Sequence, residues 1–131
     1  MSNINNFIEL ISNHQISIDA WEDLFINDAI NLVEKIIDEG KTEECLSYSN
    51  KLKSESLMRF YQSFLSIPHL DLFSYFINII NTSDDLYIAE IVIDNLRDWS
   101  LNDFEKNILV ESSKRWIGKS VMLDKIINNL S

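Results

Sequence analysis

Apolar residues recur at spacings of three and four from the first turn of the chain, where Ile4, Phe7, Ile8 and Ile11 line one helix face. This predicts a first helix ending near His14. Asp19 followed by Glu22 has the spacing of a reciprocal N-terminal cap, so a second helix is predicted from Asp19 with Trp21 and Phe25 facing inward. Its apolar series runs through Ile30, Val33, Ile36 and Ile37 to Gly40, a residue with the φ freedom helix ends use. Asn27 and Asp28 mark a break point within it. Thr42 with Glu43 and Glu44 then suits the positive end of a new helix dipole, with Cys45, Ser49 and Leu52 on the inner face.

The second half continues the pattern. A helix is predicted from about Ser54 to Ser66, burying Leu57, Tyr61 and Phe64, because Pro68 pushes its predecessor out of the α region. Leu70, Phe73, Phe76, Ile77 and Ile80 give the next helix a broad apolar face and predict a central place for it. Ser83, Asp84 and Asp85 start another, which buries Ile88, Val92, Leu96 and Trp99. Ser100 with Asp103 predicts one more start, with Phe104 and Ile108 following. Trp116, Val121, Leu123, Ile126 and Ile127 close the inward series. The predicted fold class is all-α, one domain over residues 1–131, with seven or eight short helices packed as antiparallel hairpins. The segment 84–99 resembles the inner helix of a HEAT-type α-hairpin repeat, but no second copy keeps a fixed period. A HEAT-like stack and an irregular helical bundle are the two architectures this leaves.

Composition narrows the setting. Two glycines and one proline are too few for closely spaced β-hairpins. One cysteine forms no internal disulfide, which predicts a reducing, cytoplasmic location. The first residues lack the charged-then-apolar order of a secretory signal, and the most apolar stretch, residues 70–80, is shorter than the roughly 20 residues a membrane span needs.

The formal charge is −10, from 21 acidic and 11 basic residues, which argues against nucleic acid and for a basic partner. The charge is uneven. Residues 1–48 carry −8 and residues 68–105 carry −7, while residues 49–67 carry +2 and residues 106–131 carry +3. Lys51, Lys53 and Arg59, and Lys114, Arg115 and Lys119, are therefore read as balancing nearby carboxylates within the fold.

Most catalytic arrangements find no footing. His14 and His69 are far apart, and neither has a metal-spaced partner, so no metal site and no cofactor is predicted. Cys45 falls on an apolar face, as an ordinary buried thiol does. Isolated glycines make no phosphate loop, and no serine sits in a glycine-flanked elbow. The chain is accordingly not read as an enzyme.

One acidic row has two readings, the solvated face of an acidic protein or a contact surface for a basic partner. Glu90, Asp94 and Asp98 are four apart, with Asp84, Asp85 and Tyr87 leading in and Asp103 and Glu105 following. Like charges at this spacing cost a helix a few tenths of a kcal/mol per pair. A concentrated negative field suits contact with a basic protein, and these eight residues are the candidate partner-binding set. A second cluster, Glu34, Asp38, Glu39, Glu43 and Glu44, straddles Gly40. In size, acidity and helical content the chain resembles the immunity partners of contact-dependent growth inhibition and related bacterial toxin systems. The resemblance implies an antitoxin that neutralises a cognate toxin domain, such as a basic nuclease. A HEAT-like adaptor holding a protein partner is the alternative.

Overall fold

The computed structural model describes residues 2–130 apart from the side chains of Ser54 and Leu70, so the apolar place predicted for Leu70 lies outside the described residues. Every regular element among the described residues is helical. Helix α1 (Asn3–Ile11) is followed by one unbroken run made of α2 (Ile18–Ala20), a π turn (Trp21–Phe25) and α3 (Ile26–Asp38). Helix α4 (Thr42–Ser47) tightens into a 3₁₀ turn (Tyr48–Lys51) before α5 (Ser54–Leu65). Then come α6 (Leu70–Thr82), α7 (Leu86–Leu96), α8 (Asp103–Ser113) with a 3₁₀ turn (Lys114–Trp116), and α9 (Val121–Asn128).

The chain divides into two compact units, Met1–Ile67 and Pro68–Ser131. In the first, α1 packs on α3 and α5, and α3 on α5. Its aromatic cluster joins Phe7, Phe60 and Phe64, with ring centroids 5.0 to 5.8 Å apart and Phe7 edge-on to Phe64. In the second, α6 packs on α7 and α8, and α7 on α8 and α9. Neighbour and next-neighbour packing of this kind is how α-hairpins stack. Phe76 of α6 meets Trp99 edge to face at 6.4 Å.

The helix ends obey local chemistry, although not always through the residues the spacing suggests. Gly40, at φ 72°, ends α3 in a Schellman motif, its N–H donating to Ile37 and that of Lys41 to Ile36. The second helix is capped by Ser17 rather than Asp19 and α8 by Asn102 rather than Ser100, while α7 is capped by Asp85, one of the three residues read as its start. The break predicted at Asn27 and Asp28 does not occur. Both residues are exposed, so their polar side chains reach water without interrupting the backbone. Phe104 and Val121, predicted inward, are 73% and 76% exposed.

Arg59 is the charged residue that the interior depends on. Only 3% exposed, its guanidinium stacks 5.1 Å over Trp21, pairs with Glu55, and donates to the carbonyls of Asn13 (3.2 Å) and Ile16 (2.7 Å) in the loop after α1. Removing it strands the buried Ile16 carbonyl and unfastens the part-buried one of Asn13, whereas Glu55 stays half in water. Arg59→Ala is therefore expected to lower unfolding stability by about 3 kcal/mol, and Glu55→Gln by under about 1 kcal/mol, both read from urea unfolding. Equal losses would contradict the carbonyl-anchoring role.

The Ser113 hydroxyl is buried without a hydrogen-bond partner. Ser113→Ala is accordingly expected to leave the urea midpoint unchanged or raise it slightly; a clear fall in the midpoint would reveal a bond the hydroxyl makes.

Candidate functional site

Helix α7 separates its two faces sharply. Ile88, Ala89, Val92, Ile93 and Leu96 are buried, and Trp99 just beyond the helix joins them. Tyr87, Glu90 and Asp94 share the opposite side, because steps of three and four residues advance little around a helix, and Asp98 follows in the turn after α7. Tyr87 is 68% exposed and Asp98 is exposed, while Glu90 and Asp94 are half-buried.

The acids divide by what they touch. Asp85 caps α7, accepting from the N–H of Tyr87 (2.9 Å) and Ile88 (3.3 Å). Glu105 completes a reciprocal cap with Asn102, accepting from its N–H at 3.0 Å while its own N–H donates to the Asn102 side chain at 2.8 Å. Asp94 pairs with Arg97 at 2.7 Å, and Asp84, fully exposed, lies 3.8 Å from Arg115. Glu90 accepts from the Ser120 hydroxyl at 3.1 Å, which ties α7 to the cap of α9. Asp98 and Asp103 are exposed. Thus Asp85 and Glu105 serve helix starts, and the outward field comes from Asp84, Glu90, Asp94 and Asp98.

The Glu90–Ser120 bond joins α7 to a segment that carries several exposed apolar residues. Ile117 is 57% exposed, Val121 76% and Met122 60%, all within three residues of Ser120, while Tyr87 lies one turn before Glu90. Sequence reasoning missed Ile117 and Met122 and placed Val121 inside. Ser120, whose side chain accepts from the Leu123 N–H, was the available signal: a cap there turns Leu123, Ile126 and Ile127 inward and leaves Val121 and Met122 outside.

The basic clusters are largely occupied. Arg115 stacks 4.8 Å over Trp116 and donates to the carbonyls of Ile80 (2.7 Å) and Ser83 (2.9 Å), while Lys114 pairs with Glu111 at 2.7 Å. Together with the buried Arg59, these cations serve carboxylates and helix ends.

The remaining chemically capable side chains are engaged locally or dispersed. His69 Nδ1 accepts from the Asp71 N–H at the start of α6, and His14 is exposed in a loop. Among the described residues, no three histidine, cysteine or acidic groups converge as metal ligands. The second acidic cluster belongs to the first unit, where Glu39 accepts from Asn3 and lies 3.7 Å from Lys41. No helix is long and apolar enough to cross a membrane among the described residues.

Comparison with protein-family models, curated proteins and solved structures returns no match. The face of α7 and α9 is therefore interpreted from its own chemistry. Exposed aromatic and aliphatic side chains on elements that also carry outward carboxylates are the materials of a protein contact surface, which uses apolar anchors and a charged surround.

Cys45 lies outside that surface. It is fully buried, and desolvation, with the nearby Glu44 charge adding to it, pushes the thiol up from 9.0 to about 12. The reactive thiolate is thus scarce in the folded chain near neutrality. Native protein at pH 8 is expected to label with a maleimide at least about tenfold more slowly than protein in urea. Because the folded value is the raised one, the stability this contributes is full below pH 9 and is lost as pH rises toward 12. Labelling at equal rates in the two states would contradict the buried, neutral thiol.

Proposed function

We propose that the chain is an immunity protein, an antitoxin that binds a basic bacterial toxin domain through the outward face of α7 and the start of α9. The observation that carries this reading is the exposed set Tyr87, Ile117, Val121 and Met122 beside Glu90, Asp94 and Asp98. Leaving these apolar side chains in water gains the isolated chain nothing, and lining up carboxylates costs the helix. Both become favourable against a basic surface with a complementary apolar patch. Carboxylates accelerate the encounter and disfavour wrong partners, and the tyrosine and its apolar neighbours slow dissociation. A nuclease groove, built to hold phosphate, presents the matching charge.

A HEAT-like adaptor is the second reading, favoured by the stacking of α6 on α8 and of α7 on α9. An adaptor engages several partners or joins a larger assembly, whereas an immunity protein engages one toxin domain tightly.

The test uses the domain encoded at the end of the gene immediately upstream, which this reading expects to be a basic toxin domain; a neighbour of any other kind would count against it. The chain is expected to bind it with a Kd on the order of nanomolar and to restore growth of cells expressing it. Association should slow by about tenfold or more in the triple variant Glu90→Lys, Asp94→Lys, Asp98→Lys, and wild-type association should fall steeply with salt. Tyr87→Ala should instead speed dissociation, losing about 2 kcal/mol of affinity. An association rate indifferent to both salt and the triple variant would remove this face from the mechanism.

A further inference from the structure

We infer that the groove between α6 and α8 is a second docking site, which takes a large apolar side chain from a lysine- or arginine-rich helical segment of the partner. This rests on the reading that the chain binds a basic protein, and it adds a contact on elements other than α7 and α9. Phe73 and Ile77 of α6 and Phe104 and Ile108 of α8 line an open cleft of about 350 Å³, with Glu105 at its edge. Phe73 is buried, Ile77 and Ile108 are half-buried, and Phe104 is 73% exposed. A solitary exposed phenylalanine is unremarkable on a protein surface. This one stands over a floor already made of apolar side chains, where an inserted leucine or phenylalanine would cover it on both sides.

Charge selects the occupant. Asp103 adjoins Phe104, Glu105 borders the cleft, and the exposed Asp71 lies one turn before Ser74, another lining residue; no lysine or arginine lines the cleft. A second copy of the chain would bring the same carboxylates face to face at a net charge of −10 each, which like-charge repulsion disfavours. Small polar ligands find few free groups, since the Glu105 carboxylate is already held by the Asn102 N–H at 3.0 Å. What fits both the apolar floor and the acidic border is an amphipathic helix whose apolar anchor is flanked by basic residues. Helices of 13 and 11 residues give the groove room for two or three turns of such a partner.

A synthetic amphipathic peptide of about four helical turns, leucine along one face and lysine along the other, is the probe. Titrated into the full-length ¹⁵N-labelled chain, it is expected to move the amide signals of Ile77, Phe104 and Ile108. Phe104→Ser should weaken binding by about tenfold, and Asp71→Asn with Asp103→Asn by several-fold, whereas Glu9→Gln with Glu34→Gln in the first unit should not. Because Phe104 is exposed, its variant should keep the native spectrum elsewhere. The inference is overturned if the peptide fails to bind, if a glutamate version binds equally, if only signals around Tyr87 and Val121 move, or if sedimentation shows a dimer that Phe104→Ser dissociates. A peptide seated in the groove of a chain that ignores the upstream toxin domain would sink the immunity reading alone. Tight toxin binding with an unmoved groove would sink this one alone.

Discussion

Among the described residues no α-helical element exceeds 13 residues, a length at which an isolated helix is only marginally stable in water, and the one longer run, Ile18–Asp38, is divided by a π turn. Each must therefore draw its stability from burying one face. That requirement accounts for the regular inward series, from Ile4, Phe7 and Ile11 in α1 to Leu123, Ile126 and Ile127 in α9. It also separates what the fold needs from what it leaves free. The buried residues of α7 satisfy the packing requirement, so the acids along its outer side are not required for packing and lie where local electrostatics would not choose them.

Short helices also multiply ends, and each end leaves backbone groups without intrahelical partners. The two units meet this need in a similar way. In the first, Arg59 lies over Trp21 and bonds the carbonyls of Asn13 and Ile16. In the second, Arg115 lies over Trp116 and bonds those of Ile80 and Ser83, while the Trp116 ring N–H donates to Ile80 as well. A planar guanidinium suits both tasks, since it stacks on the indole while its N–H groups fork toward carbonyls. The consequence for function is electrostatic. Both arginines are held in place at helix ends, and the −10 that remains after every cation is counted makes a basic partner the complement of this chain.

The all-helical class and most of the core were legible in the sequence because burial imposes a 3.6-residue period that apolar residues report directly. Helix starts were less legible, since several polar residues near each boundary can supply a capping oxygen and only backbone geometry decides among them. The inner face of α8 was misread as well: the spacing of Phe104 and Ile108 suggested it, whereas Leu109 and Ser113 are the buried residues and Phe104 stands at the rim of a groove. The acidic row was readable because Glu90 and Asp94 share α7 and Asp98 follows in the turn that continues from it. The link to the exposed Ile117, Val121 and Met122 was not readable, because it depends on the packing of α7 on α9 and on the bond between Glu90 and Ser120, thirty residues apart.

Amide hydrogen exchange, measured on the full chain alone and in complex with the basic domain encoded upstream, tests the central claim most directly. The account predicts slowed exchange across residues 86–98 and 117–123, where Tyr87, the carboxylates and the exposed apolar residues meet. Protection confined to residues 2–67, or a complex that leaves α7 and the start of α9 exchanging as in the free chain, would contradict it.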